Sequence, residues 1–198
     1  MATVTTKPMT AEEFYEWANR PENRDKCYEL ERGEVVEMSR PGKRHGLVCG
    51  NVARILGNFA MQRKKGYVCS NDTGVVVERG PDTVRGPDVL FFEDAEQAED
   101  VEEKYGETPP LLAVEVLSAN DTHRKVSGRV REQLRFGTRL VWILDPDARD
   151  VKVYRPGKQP DTVEETLLRE NAELTGEDVL LDFRCRVSEF FALPGKQS

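Results

Sequence analysis

The chain has 198 residues, 38% of them apolar and 33% charged, which is enough for one well-filled core and at most a small appendage. Thirty-six acids against 29 bases give a formal charge of -7 and a pI near 5.1, excluding a protein that coats nucleic acid by bulk electrostatics while leaving room for local basic patches. No apolar run approaches the roughly 20 residues that cross a bilayer, and residues 1–9 carry one Lys and no apolar stretch, so neither a membrane role nor a secretory leader is expected.

Thr10 followed by Ala11, Glu12 and Glu13 has the pattern of a helix cap, and Phe14, Trp17 and Ala18 give the turns behind it an apolar face, predicting a short helix to about Asn19. Tyr28 and Leu30, then Val35, Val36 and Met38, flank Arg32-Gly33 as a hairpin. Val48, Val52, Ile55, Leu56 and Phe59 recur at helical spacing, predicting an amphipathic helix from about His45 to Lys64 that ends at Gly66. Strand signals follow at 67–70, 74–78, 89–92 and 111–117. Residues 93–107 carry eight acids and one Lys and are expected to be a solvated loop or frayed helix that forms no core. Val126, Val130 and Leu134 predict a helix stopped by Gly137, and Leu140 to Leu144 a buried strand paired with Val151 to Tyr154. Strands at 164–169 and 179–181 and a short helix at 188–192 complete the chain.

This order predicts an α/β or α+β fold, a mixed central sheet flanked by helices, with an N-terminal helix and hairpin. One domain is expected over 10–192, with flexible ends at 1–9 and 193–198. The strand at 111–117 is apolar on both faces and is expected to be central. The four cysteines, Cys27, Cys49, Cys69 and Cys185, form no close pair and are expected to be free buried thiols in a reducing cytoplasm.

Glu115 is anomalous in that strand, because a lone ionised carboxylate in an apolar setting costs several kcal/mol or more unless something compensates it. Asp88 follows Pro87 at the start of another strand. If the two strands are neighbours, the carboxylates converge at one end of the sheet, and with a backbone carbonyl they form a hard oxygen site of the kind Mg²⁺ prefers. The alternatives are a buried Arg partner for Glu115 and a turn-capping role for Asp88. Residues 121–139 hold six bases (Arg124, Lys125, Arg129, Arg131, Arg135, Arg139) against two acids. Lys125 and Arg129, four residues apart, could rim such a site, or the run could be a solvated face.

Five motifs in order, Tyr28-Glu29-Leu30 with Gly33-Glu34, Met38-Ser39-Arg40-Pro41 with His45, Arg85-Gly86-Pro87-Asp88-Val89, Val114 to Ser118, and Leu140 to Pro146, resemble the Uma2 family of putative restriction endonucleases, formerly a domain of unknown function. The resemblance runs from about Thr10 to Phe191 and implies a PD-(D/E)XK nuclease fold, Mg²⁺ or Mn²⁺ as cofactor, DNA as substrate and frequent homodimers. It assigns Asp88 and Glu115 as the metal-binding acids, the Val116 carbonyl as a third ligand and Glu29 as a possible completion of the metal shell or partner of Lys125. His45, Arg124 and Arg129 are the implied substrate contacts. The superfamily Lys two residues after the second acid would fall at Leu117. A Lys on the following helix is expected in its place, but Arg129 stands there, with Lys125 one turn earlier; Lys125, ahead of Arg129, is expected to orient the attacking water and the phosphate. Arg cannot serve as a general base, though it can hold a phosphate bidentately. The expected function is therefore a divalent-metal-dependent DNA endonuclease, with a catalytically impaired nucleic-acid-binding or interaction module as the rival.

Overall fold

A computed structural model of the chain describes residues 7–118, 121–193 and 195. Helix α1, Ala11–Ala18, begins in a reciprocal cap: the Thr10 hydroxyl accepts from the Glu13 N–H (3.2 Å) and the Glu13 carboxylate from the Thr10 N–H (2.9 Å). Strands β1, Cys27–Glu31, and β2, Glu34–Met38, form the expected hairpin. Arg32 and Gly33 both take positive φ (51° and 80°), the conformation a tight antiparallel turn needs. Helix α2, Lys43–Arg63, ends three residues before the glycine that the sequence suggested, because Lys64 itself adopts the left-handed cap.

Strands β3 (Tyr67–Ser70), β4 (Val75–Glu78), β5 (Thr83–Arg85), β6 (Val89–Phe92) and β7 (Leu112–Val116) precede helix α3, His123–Phe136. Strands β8 (Leu140–Asp145), β9 (Asp150–Pro156), β10 (Val163–Arg169), β11 (Glu173–Gly176) and β12 (Leu180–Arg186) follow, and a 3₁₀ turn over Val187–Phe191 stands where the last helix was expected. Three sheets form, in the orders β2-β1-β5-β4, β10-β9-β8-β7-β6-β3 and β11-β12. In the six-stranded sheet β7 and β8 are parallel and all other neighbours antiparallel, so the sheet is mixed and β7 is central, as expected.

Alternation along the central strands divides the core. Phe91, Leu112, Val114 and Trp142 pack with Val48, Val52, Leu56 and Phe59 of α2. Leu90, Ala113, Val141 and Ile143 face the other way, onto Val130 of α3 and Val75 and Val77 of β4. Each helix thus covers one face with the apolar stripe its spacing predicted. Trp142 is fully buried, with its indole N–H unpartnered among the described residues.

Two expectations need correction. The acidic segment 93–107 does contribute to a core: Tyr105 stacks on Phe14 at 5.6 Å, and the Gly106 carbonyl accepts from the Val76 N–H at 2.9 Å. This ring and this backbone pairing, with side-chain bonds at Glu93, Asp94, Lys104 and Glu107, pin a segment whose composition is otherwise that of a solvated loop. Nor are the cysteines uniformly buried. All four are unpaired, but Cys27 is exposed and Cys49 and Cys69 half-buried, leaving only Cys185 inside. The chain ends expected to be loose lie largely outside the described residues. No helix among the described residues is long and apolar enough to cross a membrane.

Candidate active site

The register of the central sheet brings the two anomalous carboxylates together. Val89 pairs with Val114 and Leu90 with Ala113, so one step further the antiparallel ladder sets Asp88 beside Glu115. The contact is direct at Val116, whose N–H donates to Asp88 Oδ2 at 2.7 Å. Both acids open into a cleft of about 430 Å³ that His45, Asp72, Lys125 and Arg129 also line. Its walls are the β1–β2 hairpin, the start of α2, the ends of β6 and β7, and α3.

Each acid is differently neutralised. Asp88 Oδ1 lies 3.2 Å from His45 Nε2, and the bond to this carboxylate holds the His45 ring above its ordinary pKa against the opposing pull of burial. The backbone of Val116 also favours the protonated ring. Glu115 Oε2 accepts from Arg129 at 3.3 Å, while among the described residues Oε1 makes no hydrogen bond. Burial pushes the Glu115 carboxyl up to about 8; Arg129 opposes that shift, and Asp88, Glu29 and Asp121 add to it. The expected Arg partner therefore exists, but it does not offset the desolvation.

A second set of ion pairs, partly in the cleft wall, fixes these groups. Glu29 is buried, accepting from Arg85 at 3.1 Å, from the Gly86 N–H at 3.2 Å and from Arg129 at 3.4 Å. Arg85 in turn makes a two-pronged contact with Glu132 of α3, at 2.6 and 3.2 Å. Arg129 thus bridges Glu115 and Glu29, and α3 is tied to β1 through Arg85.

Of the residues singled out from the sequence, Asp88, Glu115, Val116, Glu29, His45, Lys125 and Arg129 all line this cleft. Arg124 is exposed on α3 and does not. Glu29 bonds to arginines, not to Lys125. Sequence reasoning missed Asp72, whose carboxyl is raised first by burial and then by Asp88. It sits in a turn where Asn71 and Asp72 both have positive φ (64° and 55°), packed so closely on Gly86 that a Cβ there would meet the Asp72 carbonyl oxygen at 2.7 Å. The Asn-Asp pair marked the turn but not the direction of the side chain.

Six carboxylates against three Lys and Arg side chains line the cleft. That excess, the Glu115 carboxyl pushed up to about 8, and the Asp88 carboxylate set opposite it and bound to the Val116 amide are the features a hard divalent cation would complement. The donors present fit such an ion: Asp88 and Glu115 by their carboxylates, Val116 by its carbonyl.

The fold and site together define a mixed-sheet α+β chain with an acidic cleft at the ends of its central strands. The family model described as "Putative restriction endonuclease", Uma2, matches residues 11–188, and the chain belongs to that family. A solved structure described as a putative nuclease belonging to DUF820, from Anabaena variabilis, is similar over 93% of this chain and 98% of its own, with a TM-score of 0.73 and 19% identity, a likeness that speaks for the fold. Among curated proteins, none matches. Family membership supports a nuclease.

Proposed function

We propose that the protein is a divalent-metal-dependent endonuclease that hydrolyses DNA phosphodiester bonds. The observation that carries this reading is the register that sets Asp88 opposite Glu115 in an acidic cleft, with Asp88 bound to the Val116 amide. Asp88, Glu115 and the Val116 carbonyl would hold Mg²⁺ or Mn²⁺. A bound ion of this kind acidifies water and offsets the charge that develops on a phosphate.

The remaining work falls to the chain's own side chains. Arg129 is fixed by Glu115 and Glu29 with its guanidinium facing the cleft, and it can grip a non-bridging phosphate oxygen without ever losing its proton. Lys125, exposed one helical turn earlier at the cleft rim, is the flexible cation that meets the backbone of an entering strand. His45, held towards its protonated form by Asp88, can donate a hydrogen bond to a phosphate oxygen. Arg124 lies outside the cleft and would contact DNA only beyond it. Because each chain carries one such cleft and a duplex has two strands, double-strand cleavage calls for two copies, which supports a homodimer. The unpaired cysteines support a cytoplasmic setting.

The test is supercoiled plasmid incubated with Mg²⁺ or Mn²⁺. Wild type nicks it, while Asp88→Asn and Glu115→Gln lose about a thousand-fold in rate, as when a group that stabilises transition-state charge is removed. Equal nicking by all three would refute the assignment. The rival, a binding module that keeps the fold without cleavage, is supported if the protein retards DNA but never nicks it with either ion.

A further inference from the structure

On the α2 side of the same cleft lies a donor set of different chemistry. His45 and Cys49 are four residues apart, one turn of α2, so their side chains stack on one face; Cys49 Sγ is 3.3 Å from His45 Nδ1. Asp88 closes the group from the position just before β6, and one ligand atom from each of His45, Cys49 and Asp88 lies within 4.8 Å of the other two. All three are partly buried. An imidazole, a thiol and a carboxylate are what a tetrahedral, thiophilic ion takes and what Mg²⁺ does not. Around such an ion neighbouring donors stand roughly 3.3–3.6 Å apart. The 3.2 Å between His45 Nε2 and Asp88 Oδ1 already meets that spacing, and the thiol has to draw in by no more than about 1.5 Å.

We propose that His45, Cys49 and Asp88 form a binding site for Zn²⁺ or a like thiophilic divalent ion, with the fourth position open to the cleft. On binding, the S–H bond of Cys49 breaks, its electron pair goes to the metal and its proton to bulk solvent; no oxidant or reductant is involved. The acidic cleft supplies the attraction, and the helical turn holds two donors at fixed spacing before the ion arrives. Asp88 belongs to both this set and the hard-oxygen set, so the two ions cannot each have it in full. Resting on the endonuclease reading, it follows that a thiophilic ion here is an antagonist of Mg²⁺-dependent cleavage.

The test is a Co²⁺ titration of the full chain without DNA. A thiolate-to-cobalt charge-transfer band in the near ultraviolet is expected. It should be lost in Cys49→Ser, lost or strongly weakened in His45→Gln, which leaves the thiol in place, and kept in Glu115→Gln. Zn²⁺ should bleach it, and Mg²⁺ should weaken it only at far higher concentration. In plasmid nicking, with each protein scaled to its own zinc-free rate, Cys49→Ser should need about tenfold more Zn²⁺ than wild type for half-inhibition, the lower end of what losing one metal contact costs in affinity. Absence of the band, or a band that survives Cys49→Ser and so comes from another cysteine, overturns the site. A Cys49-dependent band in a chain that never nicks DNA would keep the site and remove the endonuclease reading; nicking without the band would do the reverse.

Discussion

Glu115→Gln tests the electrostatics of the cleft without any substrate. In the folded chain the Glu115 carboxyl titrates near 8, against 4.5 for the ordinary side chain. Between those values the folded state keeps a proton that the unfolded state has released, so stability falls as pH rises, the opposite of the usual salt-bridged acid. From pH 4.5 to 7 this amounts to about 3 kcal/mol, at about 1.4 kcal/mol per pH unit. Gln keeps the shape and can still accept from Arg129, which also retains Glu29 at 3.4 Å, but it has no proton to lose. Urea unfolding in chelator at pH 5, 6, 7 and 8 should show wild type losing about 3 kcal/mol relative to Glu115→Gln by neutral pH. His45, whose raised pKa also favours the folded state at low pH, contributes equally to both proteins and cancels. Parallel pH profiles for the two proteins would refute the reasoning that desolvation outweighs Arg129.

Mg²⁺ at pH 7 should restore part of that stability to wild type and none to Glu115→Gln, because the ion binds the ionised carboxylate and releases its proton; calorimetry in two buffers of different ionisation enthalpy reads that proton directly. Arg129→Met should destabilise the chain by about 2 to 3 kcal/mol in urea unfolding, since Glu115 and Glu29 lose a partly buried partner, whereas Lys125→Met should lie within about 0.5 kcal/mol of wild type and still slow nicking. Arg129→Lys keeps the charge with a group that can lose a proton beside a metal and should raise the nicking rate severalfold; a loss of activity instead would show that the two-pronged guanidinium is required. Gly86→Ala should cost about 1 to 3 kcal/mol, because its Cβ would press on the Asp72 backbone and shift the amide that binds Glu29.

How much of this was legible from the sequence depended on the range of each signal. The two long helices and the central strands follow from spacing that repeats over many residues, and the anomaly of Glu115 in an apolar strand led to Asp88 because both belong to strands with a readable pattern. Strand β5 has only three residues, set between two prolines, too few for any period to show. Asp72 and Tyr105 enter from turns and loops, where the direction of a side chain is decided by contacts distant in sequence. The pairing of Glu29 with Arg85 and Arg129, and of Arg85 with Glu132, spans 47 to 100 residues, and composition cannot tell which of many charges meet. The four-residue step from His45 to Cys49 was visible, but it gained meaning only when Asp88 arrived from another strand.

The most direct measurement is anomalous scattering from a crystal of the protein soaked in Mn²⁺. A peak within bonding distance of Asp88, Glu115 and the Val116 carbonyl, with Arg129 turned away from Glu115, is the predicted result. Clear density for both carboxylates with no peak between them, and Arg129 still bound to Glu115 at saturating Mn²⁺, would contradict it.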